Sequence, residues 1–84
     1  MAFARAVFLI VDDEPDLVEI LRDRFEIFGF ETQGASTVAE AKKVLEKEKI
    51  DLIMTDIRMP GETGLDLLTW VKARNSEKPP VFLI

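Results

Sequence analysis

Residues 7–15 read VFLIVDDEP, so that five apolar residues lead directly into three acids and a proline. A continuous apolar run of this length, rich in β-branched residues, is typical of a strand that is covered on both faces. Pro15 suits the first turn of a helix, where its missing N–H costs no hydrogen bond. The stretch therefore predicts a buried strand that passes through an acidic turn into a helix.

Outward from this stretch, strand and helix patterns alternate to the end of the chain. Gly29 is placed to end the first helix, and the Thr37–Glu40 spacing is that of a capping box at the start of the second. Pro60, Gly61 and Gly64 mark the loop before the third helix. The three further predicted strands are residues 30–33, 50–55 and 81–84, and residues 75–80 are predicted as a loop.

Apolar residues at helical spacing predict which face of each helix turns inward. The inward residues are predicted to be Leu17, Ile20, Leu21, Phe25 and Phe28 in the first helix; Val38, Ala41, Val44 and Leu45 in the second; and Leu65, Leu67, Leu68 and Val71 in the third. Trp70 is predicted to be partly packed. Strands alternating with helices indicate an α/β fold, with a parallel sheet that carries helices on its faces.

Composition limits the function classes. The 84 residues, 48% of them hydrophobic, fit one small domain spanning residues 1–84. No apolar run is long enough to cross a membrane, no signal peptide is evident, and no cysteine is present, which together favour a cytoplasmic location. The net charge of −5 argues against direct nucleic-acid binding, because phosphate contact needs a basic surface. The chain also lacks histidine.

Two of the predicted strands end in acids. Asp12 and Asp13 follow the first strand, and Asp56 follows the third. In an open parallel sheet, ligands bind outside the carboxyl ends of the strands, so neighbouring first and third strands would bring these acids together. Three adjacent carboxylates raise one another's pKa unless a cation is present. Mg²⁺ is the natural cation, because it is hard and prefers oxygen ligands.

One further role fits the acids at the strand ends besides a metal site in a binding domain, and another fails on its residue spacing. Acids at a strand end serve as helix caps, and Asp13, Glu14 and Asp16 would complement the positive end of the first helix. Phosphatases of the haloacid dehalogenase type also use an aspartate nucleophile with Mg²⁺. Their pattern is Asp-x-Asp after the first strand, whereas Asp12 and Asp13 are adjacent here and Glu14 stands two residues after Asp12.

VFLIVDDEP, taken together with DLIMTDIRMPGETGLDLL at residues 51–68, resembles the receiver domain of bacterial two-component response regulators. The resemblance runs from the first strand to the fourth. It implies a flavodoxin-like, three-layer α/β/α fold with strand order 2-1-3-4. A fifth strand and the last two helices of the family are missing, so residues 1–84 correspond to the N-terminal two-thirds of a receiver.

The resemblance also implies roles for individual residues. Asp56 corresponds to the phosphoacceptor, Asp13 to a direct Mg²⁺ ligand, Asp12 to an acid that holds the metal through water, and Arg58 to a residue whose backbone carbonyl is a ligand. Met59, Pro60, Gly61 and Gly64 match the loop that shapes the pocket, and Thr63 departs mildly from the family pattern. The implied partner is a sensor histidine kinase or a phosphotransfer protein. The domain accepts a phosphoryl group and is not an enzyme in the ordinary sense.

Two residues that the family uses to read out phosphorylation are missing from the sequence. A Ser or Thr is expected just after the fourth strand, and a Lys is expected at the end of a fifth strand. The chain is therefore interpreted as a fragment, as part of a longer protein, or as a short variant that forms a homodimer through the open edge of its fourth strand. The alternative function is a receiver-fold interaction or dimerisation module that does not switch.

Overall fold

The computed structural model describes residues 5–74 and 79–84. Within them, helices and strands alternate in the order β1 Val7–Val11, α1 Pro15–Ile27, β2 Glu31–Ala35, α2 Val38–Lys47, β3 Leu52–Thr55, α3 Gly64–Lys72 and β4 Val81–Leu83. The strands form one parallel sheet with the order β2-β1-β3-β4. The predicted α/β fold and its strand order 2-1-3-4 are confirmed. No helix in the described part of the chain has the length and apolar character needed to span a membrane.

The sheet separates two apolar layers because neighbouring residues of a strand point to opposite faces. On one face, α2 and α3 pack together over the buried side chains of β1 and β3; this core comprises Leu9, Val11, Ala35, Val38, Ala41, Leu45, Ile50, Ile53, Met59, Leu67 and Val71. On the other face, α1 covers β1 and β2, and the Phe8 ring lies 5.1 Å from Phe25 and 4.5 Å from Phe30 between ring centroids. The fold therefore has three layers, α/β/α.

The second strand differs from its prediction. Sequence patterning places it at residues 30–33, whereas β2 is Glu31–Ala35 and pairs along the whole of β1. The polar residues and the glycine at its end do not indicate a strand in the sequence, yet the glycine has a packing role. A Cβ on Gly34 would lie 2.8 Å from Val18 Cγ1, so α1 packs directly on the β2 backbone at this point.

The other strand ends differ by one or two residues. β3 begins at Leu52 rather than at residue 50, and β4 ends at Leu83. Ile84 still donates its N–H to the Thr55 carbonyl at 3.0 Å, so it continues the pairing of β4. Of the loop predicted at residues 75–80, residues 75–78 lie outside the described part of the chain.

The start of α1 and of α2 follows the predicted signals, whereas α3 begins at Gly64, which is predicted to lie in the loop before it, and two inward faces differ. Pro15 begins α1, and Gly29 follows its end with a φ of 94°. Ile20 and Phe28 are exposed, at 55% and 78%, because in the described part of the chain they lie off the side of α1 that packs on the sheet. The prediction that Leu65 faces inward is wrong: it is 52% exposed. The residue two positions later, Leu67, is fully buried, and two positions turn a helix by about 200°.

Candidate functional site

The register of the sheet brings the acids to one edge. Val11 of β1 pairs with Thr55 of β3, so the residues that follow them leave two neighbouring strands side by side. The Asp56 N–H donates to the Val11 carbonyl at 3.0 Å, which fixes this juxtaposition. Asp12, Asp13 and Asp56 each offer a carboxylate oxygen, and these oxygens lie within 4.8 Å of one another. The structure therefore brings together the three carboxylates that sequence analysis assigns to the site.

Asp12 is the most enclosed of the three acids. Its side chain is 3% exposed, and its Oδ1 accepts a 2.9 Å hydrogen bond from the Glu14 N–H. Burial raises the pKa of the Asp12 carboxyl; the Glu14 N–H opposes this rise, and the charges of Asp56 and Asp13 add to it. The electrostatics at Asp12 are therefore those of a carboxyl that a nearby cation would stabilise in its ionised form.

The three carboxylates differ in exposure, and together they make a cluster that is open on one side. Asp12 is buried, Asp56 is half-buried and Asp13 is exposed. Close oxygen donors of this kind suit Mg²⁺, which takes one or two carboxylates and fills its remaining positions with water or phosphate oxygens. The residues present thus fit a Mg²⁺ ion that would remain accessible to a phosphorylated ligand.

The loop after β3 lies against the Asp56 carboxylate. The Arg58 N–H donates to Asp56 Oδ1 at 3.2 Å, which holds the Arg58 backbone beside the acid, while the Arg58 side chain is exposed. Met59, within this loop, is buried and packs in the core between the sheet and α2 and α3. Gly61 adopts a φ of 79°, a backbone conformation that favours glycine.

The start of α3 fixes the other end of this loop. Thr63 caps the helix by accepting the Asp66 N–H at 3.3 Å, and the Asp66 side chain accepts the Thr63 N–H at 2.7 Å. This reciprocal pair is a capping box. In the sequence, Thr63 is a mild departure from the family pattern, although its T-x-x-D spacing with Asp66 is itself a capping signal.

A helix-capping role for the first acids receives little support from the hydrogen bonds. Glu14 is the N-cap residue of α1, yet among the residues that the structure describes no side-chain hydrogen bond from it caps the helix. Its N–H instead donates to Asp12, within the acid cluster. A residue that sequence analysis misses is Thr55, which is fully buried and whose hydroxyl donates to the Asp56 carbonyl at 3.0 Å.

The chain is similar to proteins of known family. Residues 8–84 match the family described as response regulator receiver domain. The response regulator protein PilR of Pseudomonas aeruginosa is 40% identical over 76 residues, which cover 90% of this chain and 17% of PilR.

Solved structures give the same family. A response regulator receiver protein from Pseudomonas putida superposes with a TM-score of 0.91 at 32% identity, covering 99% of this chain and 69% of that one. A chain in the complex of the histidine kinase ThkA with the response regulator protein TrrA superposes with a TM-score of 0.84 at 31% identity, covering 93% of this chain and 66% of that one. The chain thus spans a small part of the curated relative and about two-thirds of each solved chain.

Proposed function

The chain belongs to the response regulator receiver domains of two-component signalling, and we propose that it accepts a phosphoryl group on Asp56 in a Mg²⁺-dependent reaction. The observation that carries this proposal is the convergence of the Asp12, Asp13 and Asp56 carboxylates at the carboxyl ends of β1 and β3. In this proposal the domain lies in the cytoplasm and acts as a phosphorylated switch rather than as an enzyme that turns over a substrate.

In the proposed reaction, a carboxylate oxygen of Asp56 attacks the phosphorus atom of a donor. A new P–O bond forms an aspartyl phosphate as the bond between phosphorus and the donor breaks. With a phosphohistidine donor, the electrons of the P–N bond remain on the imidazole; with acetyl phosphate, acetate leaves. The Arg58 N–H, bonded to Asp56 Oδ1, orients the carboxylate for this attack.

The Mg²⁺ ligands in this proposal are the Asp13 and Asp56 carboxylates and the Arg58 backbone carbonyl, with Asp12 holding the ion through a water molecule. When bound, Mg²⁺ supplies positive charge that neutralises the oxygens of the transferring phosphoryl group. Asp13 is exposed, which leaves the site open to a large donor. Asp12 is buried, so its negative charge lies deeper in the site.

The donor in this proposal is a phosphohistidine outside these 84 residues or a small acyl phosphate such as acetyl phosphate, because the 84 residues contain no histidine. A sensor histidine kinase or a phosphotransfer protein would present its phosphohistidine to the exposed side of the acid cluster. The similarity to a chain in the ThkA–TrrA complex supports a kinase as the partner.

Substitution of the acceptor tests the proposal. We expect Asp56→Asn to abolish labelling by radioactive acetyl phosphate in the presence of Mg²⁺, because an amide cannot supply the attacking oxygen. Asp23→Asn is the matched control, since Asp23 is exposed on α1 and lies outside the acid cluster; this variant should label as the parent does. Equal labelling of Asp56→Asn and the parent would show that the acceptor is another residue.

A second candidate function is a receiver-fold dimerisation module that does not switch. The observation that favours it is β4, an edge strand that exposes 53% of the Phe82 side chain. Exposed apolar side chains on a sheet edge promote pairing with a second chain. Light scattering that gives a monomer at high concentration would count against this function.

A further inference from the structure

Thr55 is a buried hydroxyl residue at the end of β3, directly before the acceptor aspartate. Its side chain is fully buried, on the face of the sheet that α2 and α3 cover. Its hydroxyl donates to the backbone carbonyl of Asp56 at 3.0 Å. A valine or alanine would fill this apolar position without burying a polar group. Packing alone therefore does not account for the hydroxyl.

The carbonyl that accepts this bond has little room for another donor. Gly64, the first residue of α3, lies against it so closely that a Cβ on Gly64 would overlap the Asp56 carbonyl oxygen. The same Cβ would lie 3.1 Å from the Asp56 carbonyl carbon and 3.2 Å from Ile57 Cα. Within residues 5–74 and 79–84, the Thr55 hydroxyl is the donor found for this carbonyl. This hydrogen bond is part-buried, and a carbonyl shielded from water that loses its donor destabilises its local conformation.

The peptide plane that begins at this carbonyl sets the direction of the loop that follows. Two residues later, the Arg58 N–H returns to the Asp56 carboxylate at 3.2 Å. The Gly64 N–H donates to the Ile57 carbonyl at 3.1 Å, which closes the loop from its far end. The Thr55 hydroxyl thus holds the first peptide of the loop whose later atoms touch the acceptor.

We propose that Thr55 is a positioning residue, which orients the Asp56–Arg58 backbone so that the Asp56 carboxylate and the Arg58 carbonyl face the same Mg²⁺ ion. This inference rests on the proposed function of the acid cluster. Thr55 itself touches neither metal nor phosphoryl group; it acts through the backbone of Asp56.

Thr55→Val tests the role of the hydroxyl, because valine keeps the shape of threonine and removes the donor. We expect Mg²⁺ affinity, measured by calorimetry without any phosphodonor, to fall roughly fivefold, the effect of losing one ordinary hydrogen bond. Thr55→Ser keeps the hydroxyl and should bind Mg²⁺ within about twofold of the parent, a change below the loss of one hydrogen bond. Amide hydrogen exchange at Arg58 should be faster in Thr55→Val and unchanged in Thr55→Ser.

Thr32→Val is the matched control for a loss of stability. Thr32 is also a buried threonine, on β2, and its hydroxyl accepts a 3.0 Å bond from Arg22 at a distance from the acid cluster. This variant should lower the free energy of unfolding while leaving Mg²⁺ affinity and Arg58 exchange unchanged. Thr55→Ala removes the same hydroxyl with a smaller side chain, and it gives the decisive measurement if Thr55→Val does not fold.

The outcomes separate this inference from the function on which it rests. A folded Thr55→Val that binds Mg²⁺ as the parent does, with unchanged Arg58 exchange, would overturn the positioning role alone. A parent that binds no Mg²⁺ at millimolar concentration would overturn the proposed metal site. In that case, unchanged amide exchange at Arg58 in Thr55→Val would refute the positioning role as well. Faster exchange would support the inference that Thr55 orients the backbone.

Discussion

At the scale of single residues, the sequence predicts the three acids of the cluster but neither their burial nor the role of Thr55 beside them. The identities of Asp12, Asp13 and Asp56 follow from acids placed at two strand ends, because parallel strands end at a common edge. Their unequal burial, from 3% exposed at Asp12 to exposed at Asp13, depends on the packing of loops and has no signal in the sequence. The Thr55 hydroxyl gives no signal either, because threonine is an ordinary strand residue.

The raised pKa of Asp12 makes a prediction about stability. Because burial and nearby carboxylates raise this pKa in the folded chain, the folded chain holds the proton more tightly than the unfolded chain does. The free energy of unfolding therefore falls as pH rises from the ordinary aspartate pKa through the raised one, and the ionised carboxyl destabilises the metal-free fold at neutral pH.

We expect Asp12→Asn to raise the free energy of unfolding at neutral pH by about 1 kcal/mol, measured by urea denaturation without Mg²⁺. The asparagine Oδ1 still accepts the Glu14 N–H, so the turn is kept. The gain should vanish below the ordinary aspartate pKa, where the parent carboxyl is neutral. Mg²⁺ should stabilise the parent more than the variant, because the variant lacks one acid of the site. An Asp12→Asn chain that is less stable than the parent at neutral pH would contradict a destabilising charge at this position.

At the scale of elements, the strand and helix order follows from hydrophobic patterning, and the errors have physical causes. β2 is displaced from its prediction because Gly34 sits inside the strand for contact with Val18, whereas glycine in a sequence usually indicates an end. Leu65 is assigned to the wrong face because a run of leucines fits more than one helical stripe. The boundary of α3 itself is set by the Thr63 cap and by the glycine beside Asp56.

Gly61 in the β3–α3 loop and Gly64 at the start of α3 should respond differently to alanine. Gly61 has a φ of 79° and open space where a Cβ would lie, so Gly61→Ala is expected to cost about 1 kcal/mol from backbone strain. Gly64→Ala would push a methyl group into the Asp56 carbonyl, with an expected cost of about 1–3 kcal/mol from overpacking.

Labelling by acetyl phosphate distinguishes the two glycine variants further. Gly64→Ala must move either α3 or the Asp56 backbone, and it should therefore slow phosphorylation even under conditions where the chain is fully folded. Gly61→Ala should label at close to the parent rate. Urea denaturation and initial labelling rates check both expectations, and a Gly64→Ala chain that labels as fast as Gly61→Ala would argue against a close coupling of α3 to Asp56.

At the scale of the whole molecule, the strand order brings the acid-bearing strands β1 and β3 together in the middle of the sheet. The order 2-1-3-4 is implied by family resemblance, since periodicity alone leaves the arrangement of strands open. Neither the resemblance nor the periodicity predicts that the helices cover the two faces of the sheet unequally. Among residues 5–74 and 79–84, α2 and α3 close one face, whereas the contacts of α1 with the other face are mainly over β1 and β2.

The partly covered face leads to a prediction about association. Met54 pairs with both Ile10 and Phe82 in the sheet register, so the three residues share one face. Ile10 is buried on this face, whereas Met54 is half-buried and Phe82 is exposed. Phe82 is 53% exposed and the neighbouring Ile84 is 56% exposed, so an apolar strip runs along β4. In the sheet formed by residues 5–74 and 79–84, β4 is an edge strand, so in the 84-residue chain its backbone can also pair with another strand. Both features favour association of two chains along β4.

We expect sedimentation of the 84-residue chain to show association that increases with concentration, and Phe82→Lys to weaken it at least tenfold, because a charge on the strip must be desolvated when two edges pair. Ile27→Lys is the matched control: Ile27 is 77% exposed on α1 and away from the β4 edge, so the same change of charge should leave association unaltered. If both variants associate as the parent does, the contact lies on another surface. If Ile27→Lys weakens association as much as Phe82→Lys, net charge rather than the β4 edge controls it.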